Sequence, residues 1–294
     1  MNPRSAWLLL IPLGILLLAT IEGIWTTAIG HPYDWRAYGA SAGDMVLRFS
    51  LQLLPFGLTL QALQWLWAHR LYTMPLNDGW AWAGLFIGQE FFYYWMHRAD
   101  HHIRWLWATH SVHHSPNDLN LSAAYRLGWT ARLSFAPLFF APLVLLGFPP
   151  LIVGAALAAN LFYQFWLHAT WIPRLGTLEW LLNTPAHHRV HHASNPEYLD
   201  ANFGGVLIIF DRLFGTFVAE RADIEIRFGL VDPIQSYNPL TIGLHEWRAI
   251  LADITRARSL RAALSAAFGP PRGPAVPIST STNPDRKSIH WRIK

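Results

Sequence analysis

The sequence predicts an all-α, multi-pass membrane protein, with about four to five membrane helices and a cytosolic helical cap carrying a histidine-rich dimetal site. Three observations lead there. Of 294 residues, 52% are hydrophobic and only 14% charged, against about 25% charged in an ordinary soluble domain. The apolar residues gather in runs close to the roughly 20 needed for a helix to span a bilayer. The chain has 15 histidines and no cysteine, and most of the histidines crowd into the polar stretches between and after those runs.

The first run, residues 6–25 (AWLLLIPLGILLLATIEGIW), follows a single arginine, as a secretory leader would. Its length, and the lack of a small-x-small cleavage pattern after it, make it a retained helix with Glu22 near the interfacial end. Residues 45–67 form the second, kinked at Pro55. Residues 79–97 form the third. Residues 129–147 and 151–171 are the fourth and fifth, joined by GFPP, whose prolines mark a tight turn. The cap comprises 98–127 and 172–240. Within it NFGGVLIIFDRLFGTF (202–217) is too short and too interrupted to span, so it packs as a helix or turn. Residues 243–268 read as an amphipathic surface helix at the lipid interface, with Arg256, Arg258 and Arg261 on a mixed face. Residues 1–268 thus make one integral-membrane domain, followed by a Pro/Ser/Thr-rich tail, 269–294, of disordered composition.

Lys and Arg concentrate on the inner side of a membrane protein. The polar stretch 98–127 carries Arg98, Arg104 and Arg126, the loop at 30–44 carries Arg36, and most other arginines follow residue 172. The opposite side keeps Arg4 and Arg70. The histidine-rich face is therefore expected in the cytoplasm, against a bacterial inner membrane or the endoplasmic reticulum. This asymmetry accounts for the net charge of +4. No basic run interleaved with aromatics suggests nucleic acid as a partner.

The histidines fall into HRADHH (His97, His101, His102), HSVHH (His110, His113, His114), a lone His168, and HHRVHH (His187, His188, His191, His192). Helical residues three and four apart share a face, so His97 with His101, and each H-x-x-H-H, can aim at an ion. Imidazole ligates Zn, Fe, Cu and Ni. One four-coordinate ion would leave most of these rings idle, whereas two ions use them. Burying them without partners would cost roughly 1–3 kcal/mol each. His31, His69, His245 and His290 read as ordinary polar residues. Glu90, Asp100, Asp118, Glu179, Asp200 and Asp211 lie near the clusters and could accept the free ring N–H. Glu90, Glu179 and Asp211 are the candidate catalytic acids, and Glu90 stands inside an apolar helix, where an acid is a functional candidate by default.

The segments YYWMHRADHH, WATHSVHHSPNDLNLSAAYR and NTPAHHRVHHASNPEYLDANFGGVLIIFDRLFGTF together resemble the fatty acid hydroxylase/sterol desaturase superfamily. Within it they look most like the alkylglycerol monooxygenase branch and its bacterial relatives. The resemblance implies membrane helices topped by a cytosolic cap, and an O2-dependent diiron oxidoreductase that hydroxylates or desaturates a lipid C–H bond. The lipid is a sterol, a fatty acyl chain or an alkylglycerol ether. It implies two iron ions (Fe2+/Fe3+), O2 as co-substrate, and an external electron donor: a cytochrome-type carrier, ferredoxin or tetrahydrobiopterin. His97, His101, His110, His113, His114, His168, His188, His191 and His192 match its ligands, and His187 is counted with them. His102 stands where the branch carries Glu.

On this reading Phe91, Tyr94, Trp95, Phe162 and Trp166 line a lateral path for the lipid. A zinc-dependent membrane hydrolase is the alternative among enzymes, but no H-E-x-x-H is present. A metal or haem transport protein would place its ligands at the bilayer midplane, whereas three of the four clusters lie outside the expected spans.

Overall fold

The computed structural model describes residues 3–52 and 57–272. Among them the regular structure is helical, with two isolated antiparallel bridges, Leu182–Leu207 and Ala193–Phe228. Helix α1 (Pro3–Ala28) is the apolar N-terminal run. Leu13, Leu17, Ile21 and Ile24 face outward, while Ala19, Glu22 and Thr26 turn inward. Ala19 packs with Leu121, Tyr125, Phe165 and Ala169. Among the described residues, the segment Leu10–Ala28 is one of two long and apolar enough to cross a membrane.

The expected helix 45–67 is instead two. Helix α2 (Trp35–Gln52) begins well before it, inside the expected loop, and α3 (Leu58–Ala68) follows. The expected Pro55 kink lies outside the described residues. The early start has a local cause: Asp34 Oδ1 accepts from the backbone N–H groups of Arg36 (2.9 Å) and Ala37 (3.0 Å), capping the helix. The first turns are rich in Ala, Gly and Ser, which draw no apolar stripe in the sequence.

Helix α4 (Gly79–His102) carries the third run past its expected end and through the first histidine cluster. It is followed by α5 (Arg104–His113). The expected helix 129–147 is broken into α6 (Ala131–Ser134), a 3-10 turn (Ala136–Phe140) and α7 (Ala141–Leu145). Pro137 and Pro142 lack the N–H that a continuous helix needs, and Phe135 is left-handed at φ 57°. Helix α8 (Pro150–Phe165) closes the hairpin, and Pro150–His168 is the second segment long and apolar enough to span. Ala81, Leu85 and Tyr93 of α4 pack with Phe140, Leu143, Val144, Phe148 and Val153 as the core beneath the cap.

The turn between α7 and α8 is pinned by backbone bonds from Leu71 N to Leu145 O (2.8 Å) and Met74 N to Gly147 O (3.0 Å). Gly147 has φ 106°, and a Cβ there would overlap the Tyr72 carbonyl. Gly147→Ala should therefore destabilise the protein by about 2 kcal/mol or more. Thermal unfolding in neutral detergent checks this against Gly14→Ala, where a Cβ meets nothing within 4 Å.

The cap continues with α9 (Pro185–His191) and α10 (Ile209–Phe214). The expected surface helix 243–268 is two helices, α11 (Pro239–Arg256) and α12 (Leu260–Phe268). Asn238 and Ser259 cap them, accepting from Leu240 N (2.9 Å) and Ala262 N (3.1 Å). Ile242, Gly243, Glu246 and Ile250 of α11 are buried, so it is a packing helix against α5 rather than a surface one. Of the expected tail 269–294, residues 273–294 lie outside the described set.

Candidate metal centre

Four elements deliver histidines to one place between the helical floor and the cap. Helix α4 brings His97 and His101, one turn apart. Helix α5 ends on His110 and His113 with His114 as its C-cap, and α9 ends the same way on His188 and His191 with His192. His168 closes the 3-10 turn Trp166–His168 after α8.

The rings form two groups: His97, His101, His110, His114 and His191 in one, and His113, His168, His188 and His192 in the other. The nitrogens of each group lie within 4.8 Å of one another. Each H-x-x-H-H is split between the groups. The i, i+4 pair His110/His114 joins the first group and His113 the second, while His188/His192 joins the second and His191 the first. His114 and His192 stack across the middle, centroids 4.4 Å apart at 20°.

The Nδ1 sides explain what the Nε2 sides are for. Nδ1 donates to Phe203 O from His97 (2.9 Å), to Ala201 O from His191 (2.9 Å), to Arg126 O from His113 (3.2 Å) and to Gln164 O from His168 (3.0 Å). His101 Nδ1 faces Asp200 Oδ1 at 3.3 Å. A neutral ring with its proton on Nδ1 presents a bare lone pair at Nε2. The Nε2 atoms of neighbouring rings meet: His97–His110 at 3.0 Å, His110–His114 at 3.1 Å, His113–His168 at 3.4 Å, His168–His188 at 3.2 Å and His188–His192 at 3.1 Å. His101 Nε2 and His191 Nε2 are buried with no hydrogen-bond partner.

Facing lone pairs repel unless a cation lies between them. Two imidazole nitrogens about 2.1 Å from one metal, at octahedral to tetrahedral angles, sit about 3.0–3.4 Å apart. The residues present therefore fit a metal ion in each group. Burial holds His101, His110, His114, His188, His191 and His192 below the ordinary imidazole pKa, and His113 down to about 4. They are neutral, as ligands must be.

Two of these carbonyls, Ala201 O and Phe203 O, come from a loop, 199–205, shaped by left-handed residues Asp200 (φ 56°) and Asn202 (φ 58°). Asn202 Nδ2 donates to His187 O (3.1 Å) and Val218 O (2.8 Å). Asp211 accepts from Phe203 N, Gly204 N and Thr216 Oγ1, each at 2.7 Å, while burial pushes its carboxyl up to about 6. Glu90 accepts from Val206 N and Leu207 N (2.8 Å each) and from Asn160 Nδ2 (2.5 Å). Glu179 accepts from Leu175 N (2.8 Å), fastening the turn before α9.

A family model described as fatty acid hydroxylase matches residues 82–216, the stretch that holds every grouped histidine. Alkylglycerol monooxygenase of Xenopus tropicalis is 40% identical over 210 residues, 71% of this chain and 46% of that protein. Its namesake from Danio rerio is 38% identical over 226 residues, 76% of this chain and 50% of that protein. Ornithine lipid hydroxylase OlsE of Rhizobium tropici is 34% identical over 134 residues, 46% of this chain and 40% of that protein. The chain spans about half the length of the curated relatives it matches. No solved structure matches it.

Within the matched stretch, the structure brings together His97, His101, His110, His113, His114, His168, His188, His191 and His192, but not His187 or His102. The His187 ring sits edge-on to Phe217, with Nδ1 unpartnered. His102 is exposed and bonds Arg98 O at 2.8 Å. Of the acids expected to accept a ring N–H, Asp200 does so. Glu90, Glu179 and Asp211 stand behind the rings and hold backbone.

A cavity opens on both groups, lined by His97 and His110 of one and His113 and His168 of the other, with Met96, Leu106, Leu127, Leu161, Tyr93, Gln164, Arg48 and Asp100. The expected aromatic path lies elsewhere: Phe91, Tyr94 and Trp95 pack with Phe203, Phe210 and Phe214 on another face of α4. Phe162 is exposed, and Trp166 packs on Tyr163. Sequence reasoning missed Arg48, whose signal was a charge inside an apolar run. It also missed the carbonyls of Ala201 and Phe203, which have no side-chain signature.

Proposed function

We propose that this chain is a membrane-bound oxygenase in which the nine grouped histidines hold two iron ions and O2 is used to hydroxylate or desaturate a lipid C–H bond. The observation that carries the reading is the two sets of facing Nε2 atoms opening on one cavity with an apolar wall. The printed names of the relatives, monooxygenase and lipid hydroxylase, point the same way. When bound, the ions supply the redox chemistry with O2, and a separate donor supplies electrons: a cytochrome-type carrier, ferredoxin or a reduced pterin.

The chain's own part is positional. The carbonyls of 126, 164, 201 and 203 fix ring tautomers and directions. Glu90 and Asp211 hold the loop that presents two of them. Met96, Leu106, Leu127 and Leu161 seat an alkyl segment against the rings and keep water from it. Leu10–Ala28 and Pro150–His168 anchor the chain in the bilayer, with the histidine-rich face cytoplasmic.

Metal analysis of the full chain should find about two non-haem irons per protein. Lipids from a host expressing it under labelled O2 should gain a hydroxyl carrying that label, or a new double bond, and His191→Ala should abolish that product while loosening the metal held by its group. Zinc alone, or a haem absorption band, would select the hydrolase or transport reading instead.

A further inference from the structure

The cavity that opens on both histidine groups has a cationic side chain in its wall that no hydrogen bond or close ion pair among the described residues engages. Arg48 lies on α2 and is half-buried. Asp44, one turn earlier, supplies an opposing charge at a distance, with its oxygens engaged by Gly128 N and Trp129 N at 3.1 Å each. Among the described residues the Arg48 guanidinium makes no hydrogen bond and no ion pair within 4 Å. Arg126, the buried arginine nearby, shows the contrast. Its three nitrogens donate to Ser41 Oγ (2.9 Å), Ser115 Oγ (3.1 Å) and Ala37 O (2.6 Å). Arg126 is structural, and Arg48 has its donors free toward the cavity. The wall also carries Asp100, whose carboxyl burial pushes well up, toward the neutral acid, and which accepts no hydrogen bond among the described residues.

A half-buried guanidinium that makes no hydrogen bond leaves donors unsatisfied, at a cost that a ligand accepting them would relieve. The guanidinium fork matches phosphate and carboxylate in bidentate fashion. We propose that Arg48 reads the substrate's headgroup: it takes an oxyanion, phosphate or carboxylate, at the polar end of the cavity while the alkyl chain runs along Met96 and Leu161. Asp100, on the same wall, faces a hydroxyl or ammonium of that headgroup. The carbon presented to the histidines then lies within a few bonds of the headgroup rather than far down a chain. That last placement rests on the oxygenase reading above, whereas the headgroup recognition does not.

The test is binding without turnover. The full chain in neutral detergent, with no reductant, is titrated with hexadecyl phosphate, hexadecanoate and hexadecanol, each displacing a fluorescent alkyl probe. At least one anion should bind about tenfold more tightly than the alcohol, and the tighter anion names the oxyanion. Arg48→Gln should bring anion and alcohol to within about threefold by weakening the anion alone, and Arg48→Lys should keep part of the preference. Equal binding of all three probes by the unaltered chain overturns the proposal, as does an anion preference that survives Arg48→Gln. The comparison on the unaltered chain decides even where the glutamine variant fails to fold. Failure of the oxygenase reading would show separately, as missing iron or label with the headgroup preference intact.

Discussion

His188→Ala should lose metal from one histidine group and keep it in the other, so that the purified full chain carries about one ion instead of about two. His188 Nε2 faces both His168 (3.2 Å) and His192 (3.1 Å) at the middle of a group with only four rings. Its loss leaves three nitrogens and removes the ring that links them. His101→Ala should behave differently. Its group keeps His97, His110, His114 and His191, enough for a four-coordinate ion, so metal should remain bound after purification. It should leave to a chelator about 10–100-fold faster. Because α5 and α9 each serve both groups, the second ion in His188→Ala should also be released faster than in the unaltered chain. Metal content and chelator kinetics read both effects without any turnover. Unaltered metal content in His188→Ala would refute the two-group arrangement.

How far this centre was legible can be judged from single residues. That rings at i, i+3 and i+4 converge follows from helical periodicity alone. Their division, with His110 and His114 on one side and His113 on the other, depends on how α5 crosses α9, and helix crossings are set by tertiary packing. His187 and His188 are identical in type, and neighbours on a helix point about 100° apart; adjacent rings can both serve, as His113 with His114 and His191 with His192 do by facing different groups, so the exclusion of His187 is set by tertiary packing and composition cannot reveal it. Glu90 was recognisable as unusual for its place in an apolar helix. Its work was not, because it accepts from the backbone of Val206 and Leu207, and backbone donors leave no trace in a sequence. The broken segment 129–147 was legible in principle: its prolines are in plain view, and the apolar run hid their consequence.

Arg104→Met should lower stability by about 3–5 kcal/mol, the range for leaving a buried charge without its partner. Arg104 opens α5 and is 3% exposed. Its Nε donates to Glu246 Oε1 (2.6 Å), and Nη1 donates to Asp253 Oδ2 (2.7 Å) and Ala266 O (3.0 Å). Its backbone N–H donates to Gly269 O (2.9 Å). One side chain thus ties α5 to both α11 and α12. The methionine would fill much of the space but strand Glu246, which is 8% exposed. Asp253 is less buried and keeps Arg272 as a partner. Glu246→Met added to Arg104→Met should therefore recover most of the loss, since an apolar pair of similar volume often replaces a buried ion pair without penalty. A double-mutant cycle in neutral detergent should give a coupling above about 2 kcal/mol. The consequence reaches the centre because α5 ends on His110 and His113. With its first turn no longer clamped, the helix can shift its last, and metal should leave Arg104→Met faster than the unaltered chain even where both bind it fully. Stability within about 1 kcal/mol of the unaltered chain would mean that apolar packing against α11, not the arginine, holds α5 in register.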